Sequence, residues 1–123
     1  MKKVFVASSR RFYDGVKKIK AELDARGVVG FYPYFEFGDG SIEMDEQAKK
    51  DVTLRHFPEI DQVEVMYLYT PEGYVGISVT LEAAYAYTKG AEVISSEPVQ
   101  EMAIRAIVTR VMTPEEFIAY ASS

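Results

Sequence analysis

The chain contains no cysteine. That absence excludes disulfide bonds, thiolate zinc sites, iron–sulfur clusters and a cysteine nucleophile. Histidine is almost as scarce, with His56 the single copy in 123 residues. One histidine excludes multi-histidine metal sites and argues against a serine–histidine relay. No apolar run approaches the ~20 residues that a bilayer span requires, and no secretory or transit pattern is recognisable. The expectation is a soluble cytoplasmic protein with no membrane partner. Positive charge is also in deficit, 14 Lys and Arg against 19 Asp and Glu for a net of −5, which is unsuited to a generic nucleic-acid binder. Carboxylates, hydroxyls, tyrosines and backbone groups are left to carry chemistry, with neither metal nor cofactor implied.

The charge is unevenly distributed. Residues 1–26 hold eight basic and three acidic side chains, and residues 27–123 hold six and sixteen. The basic end could attract an anionic group while the remainder repels polyanions. A lysine-rich solvated helix face is the alternative origin of that pattern.

A length of 123 residues fits one domain spanning the whole chain, 1–123. Short apolar runs alternate with helical patterns, the signature of a parallel α/β sheet. Residues 3–7 read as a buried strand opening into Ser8-Ser9-Arg10. Phe12, Val16, Ile19 and Leu23 then recur at helical spacing, with Gly27 just past the last turn. Residues 28–32 read as a second strand, and Phe37-Gly38-Asp39-Gly40-Ser41 as a loop by its paired glycines. Met44, Ala48 and Val52 mark a second helix stopping near Pro58. Residues 61–69 read as a central strand. The stretch 77–89 is helical, with Leu81, Ala84, Tyr85 and Thr88 on one face, and residues 93–95 form another strand. Met102 to Ile107 reads as helical, and residues 108–112 as a short fifth strand or a continuation. Thr113-Pro114-Glu115-Glu116 opens a last helix, with threonine suited to the N-cap and Glu116 three residues on. The order predicts a single-domain, flavodoxin-like three-layer fold, with a parallel sheet of four or five strands ordered 2-1-3-4-5.

In such sheets ligands bind beyond the carboxyl ends of the strands, where the strand order reverses. That selects Ser8, Ser9 and Arg10 after the first strand and residues 70–82 after the third. Two hydroxyls and a guanidinium beside a helix start can hold a phosphate or sugar oxygens, although Ser9 could equally be a cap. Gly73 and Gly76 would let backbone approach a ligand. Ser78 offers a donor or a helix cap, and Tyr74 and Tyr85 could flank a planar ligand or simply pack. Glu82 falls about one turn into the helix, whose positive end favours the ionised carboxylate that a nucleophile needs. A glutamate that only complements the helix dipole would occupy the same place.

Val4-Phe5-Val6-Ala7-Ser8-Ser9-Arg10, the run from Gly73 through Glu82 to Ala86, and Lys89-Gly90-Ala91-Glu92-Val93 together resemble the nucleoside 2-deoxyribosyltransferase superfamily, which includes deoxynucleoside-monophosphate N-glycosidases. The resemblance implies that Glu82 attacks the anomeric carbon of an N-glycoside and forms a glycosyl ester, which water or a second base resolves with retention. It also implies an assisting aspartate on the segment before the third strand, with Asp51 the first candidate and Asp61 the second. Ser8, Ser9, Arg10, Gly73, Tyr74, Gly76 and Ser78 are the expected substrate contacts. This chain departs from the family pattern at Ala83-Ala84, where an aliphatic residue and a glycine often follow the glutamate, and at Glu72, where the loop often carries an aspartate.

Two functions from different classes follow: an enzyme of N-glycosidic bonds, or a non-catalytic nucleotide-binding or regulatory module on the same fold. A receiver-type phosphorylation domain would need acidic residues directly after strands one and three, where the chain reads Ala7-Ser8-Ser9 and Tyr69-Thr70. The aromatic cluster Phe31, Tyr32, Tyr34, Phe35 and Phe37 is dense for one small sheet, so part of it is expected at a homo-oligomer interface. Small-molecule nucleosides or nucleotides are the expected partners.

Overall fold

Four consecutive apolar residues, Val4–Ala7, form the first strand, β1, and all four are buried. The computed structural model describes residues 1–38 and 44–123. A short 3-10 turn, Arg10–Phe12, leads into helix α1 (Tyr13–Ala25), which buries Val16, Ile19 and Leu23, the stripe predicted from their spacing. Gly27 closes that helix at φ 75°, in the left-handed region where glycine pays no Cβ penalty. Strand β2 is Gly30–Phe31, shorter than the five residues expected, because the Val28 amide turns back to the Leu23 carbonyl at 3.0 Å to finish α1.

Phe37 and Gly38 belong to a one-turn helix, α2 (Phe35–Gly38), so the expected loop does not begin there. Its remaining residues, Asp39-Gly40-Ser41, lie outside the described residues. Helix α3 (Glu46–Ile60) starts at Asp45, whose carboxylate accepts from the Ala48 amide, and runs through Pro58 to Ile60. Proline in a last turn removes one backbone bond and leaves the earlier turns intact, so the helix outlasts the stop that Pro58 suggested. Residues 61–64 are consequently a connection, and the central strand β3 is Val65–Leu68.

Helix α4 (Ile77–Thr88) buries Val79, Glu82, Ala83 and Ala86, while Leu81 and Ala84 from the expected face are exposed. The small residues Ala83 and Ala86 let this helix lie close on the sheet, which outweighs the larger apolar side chain on the other face. Strand β4 (Glu92–Ser95), helix α5 (Met102–Arg105), strand β5 (Arg110–Val111) and helix α6 (Pro114–Ser122) complete the chain. At the start of α6, Thr113 and Glu116 form the reciprocal capping box that their spacing predicted.

All four strand pairings are parallel and the order is β2-β1-β3-β4-β5. Alternate residues of the central strands point to opposite faces, so each strand feeds two cores. Val4, Val6, Val65, Tyr67 and Ile94 pack with α1 and α6 on one face. Phe5, Ala7, Met66, Leu68 and Val93 pack with Ile60, Val79, Ala83 and Ala86 from α3 and α4 on the other. The aromatic cluster finds partners within the chain: Tyr32 and Phe35 lie against the first core, Phe31 against the second, and Tyr34 stacks on His56. All five rings are at least half-buried in the single chain, so their density does not by itself require a second copy. Among the described residues no helix is long and apolar enough to cross a membrane.

Candidate active site

The β1 and β3 carboxyl ends lie side by side, in register from Val4 with Val65 to Ala7 with Leu68. Their outgoing loops diverge to opposite faces and leave a cavity of about 160 Å³ at that edge. Ser8, Ser9 and Arg10 line it from the first loop, and Gly76, Ser78 and Glu82 from the second loop and α4. Six of the ten residues expected at the site are therefore brought together.

Their local roles differ. The Ser8 hydroxyl donates to the Tyr69 carbonyl at 2.8 Å and ties the two loops to one another. Ser9 stands at the cap of the 3-10 turn in extended conformation and makes no side-chain cap bond. Arg10 is exposed, and one guanidinium nitrogen donates to the Phe37 carbonyl at 3.0 Å. Gly76 is the N-cap of α4 and supplies no side-chain cap; Ser78 sits in the first turn. The open amides of that turn carry the positive end of the helix toward the cavity.

Glu82 is 6% exposed and faces His56, also nearly buried at 7%. The imidazole Nδ1 lies 2.5 Å from Glu82 Oε2. Two rings set the imidazole plane, with Tyr34 stacked at 4.8 Å between centroids and Phe5 edge-on at 5.1 Å. Tyr34 is itself fixed, since its hydroxyl donates to Glu59 Oε2 at 2.9 Å and the Arg55 guanidinium lies over its ring. The other imidazole nitrogen, Nε2, is buried and has no partner among the described residues. On the far wall, burial and then the Glu82 carboxylate push the Tyr13 phenol up to about 12, against a smaller opposing effect of Arg10. Tyr13 thus stays a protonated donor at neutral pH.

The other expected residues lie elsewhere. Asp51 is exposed on α3, accepting from Gln47 Nε2 at 2.9 Å, and does not line the cavity. Asp61 follows the end of α3 and precedes β3, which puts it at the amino end of that strand and not at the carboxyl edge. Gly73 is buried at φ 77° beneath the Pro98 carbonyl, so its glycine serves a backbone crossing. Tyr74 packs under the Arg11 guanidinium, 3.8 Å from its ring centroid, and edge-on to Phe12. Neither Gly73 nor Tyr74 lines the cavity.

Sequence reasoning missed one whole wall, contributed by α3 as Lys49, Val52, Thr53 and His56. Their spacing of three, one and three is a helical stripe that combines polar and apolar residues, and that pattern was the available signal. Tyr13, one turn beyond Arg10, was also missed. Among the described residues, no three His, Asp or Glu side chains converge as a metal-binding group.

A five-stranded parallel sheet ordered 2-1-3-4-5, with helices on both faces and a cavity where the order reverses, defines a flavodoxin-like α/β protein. No family model and no curated protein matches the chain. Among solved structures, it is similar to the 2-deoxyribosyltransferase of the psychrotolerant bacterium Bacillus psychrosaccharolyticus, with a TM-score of 0.70 and 16% identity over 96% of this chain and 91% of that one. It is also similar to the CMP N-glycosidase of Clostridium botulinum, with a TM-score of 0.60 and 13% identity over 97% and 96% of the two chains. A conserved protein from Enterococcus faecalis V583 gives a TM-score of 0.64 at 12% identity, again over 97% and 96%. At these identities the likeness is one of fold.

Proposed function

We propose that this protein cleaves or transfers the N-glycosidic bond of a (deoxy)nucleoside or nucleoside monophosphate, with Glu82 as the nucleophile. The observation that carries the reading is a buried carboxylate on the wall of a cavity at the strand-order reversal, on the first turns of a helix whose cap is a glycine. In the reaction a Glu82 oxygen bonds to the anomeric carbon as the carbon–nitrogen bond breaks. The electron pair leaves with the base, which takes a proton from water. Water or a second base then displaces the glycosyl ester, so two inversions retain the configuration. Ser9, Arg10 and Ser78 supply donors for sugar or phosphate oxygens. The fold shared with a 2-deoxyribosyltransferase and a CMP N-glycosidase supports the same chemistry.

The test is chromatographic detection of free base from a panel of ribo- and deoxynucleosides and their 5′-monophosphates. Wild type is expected to release base and Glu82→Ala to release none. No release across the panel, with Glu82→Ala binding nucleotide as tightly as wild type, would overturn the reading. That outcome would favour a nucleotide-binding module without catalysis, a reading that gains from the absence of both Asp51 and Asp61 from the cavity lining.

A homo-oligomer belongs to the same proposal. Ile77 and Leu81 stand one turn apart on α4, 84% and 51% exposed, and Ile77 borders the cavity. A second copy over this face would cover both side chains and deepen the site. Light scattering at micromolar concentration is expected to give a mass above 13.9 kDa; a monomer would remove the idea.

A further inference from the structure

Taking Glu82 as the attacking carboxylate, we propose that His56 is its positioning residue. His56 acts as a neutral imidazole whose Nδ1–H holds one carboxylate oxygen, and its protonation shuts the site down. The geometry is specific. Nδ1 meets Oε2 at 2.5 Å, and the ring is clamped between Tyr34 and Phe5 so that it cannot swing to another partner. A carboxylate has two oxygens. With Oε2 held, Oε1 is the oxygen presented for attack and the carboxylate no longer rotates freely, which is the gain that orientation brings to a displacement.

The state of the ring follows from its other nitrogen. Nε2 is buried with no partner among the described residues. In the neutral Nδ1–H tautomer that atom is a bare lone pair. In the imidazolium it is a charged donor without an acceptor, a cost set against the attraction between the ring and the Glu82 carboxylate. The reaction tips that balance. Forming the glycosyl ester consumes the Glu82 negative charge, so an imidazolium at His56 would become a buried cation with no counter-charge. The neutral ring faces no such penalty and keeps its hydrogen bond to the ester oxygen. Activity is therefore expected to fall as pH drops through imidazole protonation.

Several other ionisable groups surround the pair. Lys49 on α3, Tyr13 on α1 and Arg10 before it line the same cavity. Arg55 lies over the Tyr34 ring and Glu59 accepts from its hydroxyl. None of these replaces Glu82 as the partner of Nδ1, which is within bonding distance of Oε2.

Because His56 is the only histidine, its ring nitrogens give a single unambiguous set of NMR signals. At neutral pH the wild type is expected to show protonated Nδ1 and bare Nε2, and the Nδ1–H proton signal is expected to move in Glu82→Gln, because that hydrogen is held by Oε2. An Nε2–H tautomer, or an identical Nδ1–H signal in the two proteins, would overturn the proposal. In base-release kinetics, His56→Asn keeps an N–H near the Nδ1 position and cannot titrate. It is expected to retain most of kcat and to lose the acid limb of the kcat–pH profile. His56→Phe is expected to lower kcat about 10- to 100-fold, the loss of one hydrogen bond to a charged group, with KM little changed. Equal loss in the two variants, or a wild-type acid limb in His56→Asn, would also overturn it. If wild type releases no base from any substrate, the nucleophile reading itself fails, and the nitrogen spectrum still decides whether His56 holds Glu82 as a neutral donor.

Discussion

The Tyr85 hydroxyl donates to Asp61 Oδ1 at 2.7 Å, joining the connection before β3 to the outer side of α4. Lys89 closes on the same carboxylate oxygen at 3.6 Å. Asp61 is thereby engaged in a surface network at the amino end of the sheet, away from the cavity that holds Glu82. The hydrogen bond to Asp61 is also the main reason that the Tyr85 phenol titrates above its ordinary value. Asp61→Ala is expected to bring the Tyr85 titration down toward the ordinary tyrosine range, followed by NMR on ring-labelled tyrosine. Base release is expected to stay at the wild-type level. A large loss of activity would return Asp61 to the site.

Arg10 is the exposed guanidinium at the cavity wall. If it meets a substrate phosphate, Arg10→Ala raises KM for a nucleoside monophosphate about 10- to 100-fold, the usual worth of a charge-assisted hydrogen bond, and leaves KM for the parent nucleoside nearly unchanged. Steady-state kinetics on the matched pair checks this. Equal effects on both would detach Arg10 from phosphate recognition.

Tyr67 and Phe117 stack at 4.0 Å between centroids with planes 4° apart, and the Tyr67 hydroxyl donates to the Met112 carbonyl at 2.8 Å. Phe117 is fully buried and anchors α6 to the sheet. Phe117→Ala is expected to destabilise the fold by about 3–5 kcal/mol through lost transfer energy and the cavity left behind. Denaturant unfolding measures this directly.

Gly73 combines φ 77° with a Cβ direction aimed at the Pro98 carbonyl. Gly73→Ala therefore meets both a conformational and a steric obstacle, and a loss of more than about 1 kcal/mol is expected. Gly90, at φ 91° but with open space around its Cβ position, gives the control. There the conformational penalty acts alone, so Gly90→Ala is expected to destabilise less. Equal losses in thermal unfolding would refute the steric part.

The capping box at α6 makes stability depend on pH. Bonds from Thr113, backbone and then side chain, hold the Glu116 carboxyl below its ordinary range. A carboxylate depressed on folding stabilises the protein above its unfolded pKa, and that contribution fades as pH falls through the lower folded value. Thr113→Ala is expected to cost about 1 kcal/mol through loss of the cap while its backbone N–H still reaches Glu116, and Glu116→Gln, which has no carboxyl to titrate, is expected to flatten the acid side of the stability–pH curve. Urea midpoints measured from neutral to acidic pH test both parts.

The elements that could be read from the chain were those with local causes. The α1 stripe of Val16, Ile19 and Leu23, the left-handed Gly27 and the Thr113–Glu116 box each depend on residues within one or two turns of one another. The alternation of such elements also predicted the strand order, because right-handed parallel crossovers leave few arrangements. Element ends were less legible. Residues 61–64 were expected within the central strand, yet α3 continues past Pro58 to Ile60 and the strand begins only at Val65.

The sequence by itself narrowed the candidates: without cysteine and with a single histidine, carboxylates were the main groups left for chemistry, and the place of Glu82 near the start of a helix after the third strand, together with the family resemblance, marked it among nineteen acidic residues. Which side chains surround it was decided only by the tertiary structure. Packing α3 against α4 brings His56 to Glu82, and it carries Asp51 and Asp61 away from the cavity. A helix presents its faces every 3.6 residues, so one residue of rotation separates a wall of the site from solvent. That rotation is set by Ile60, Val79 and Ala83 burying against the sheet, and not by the polar residues themselves.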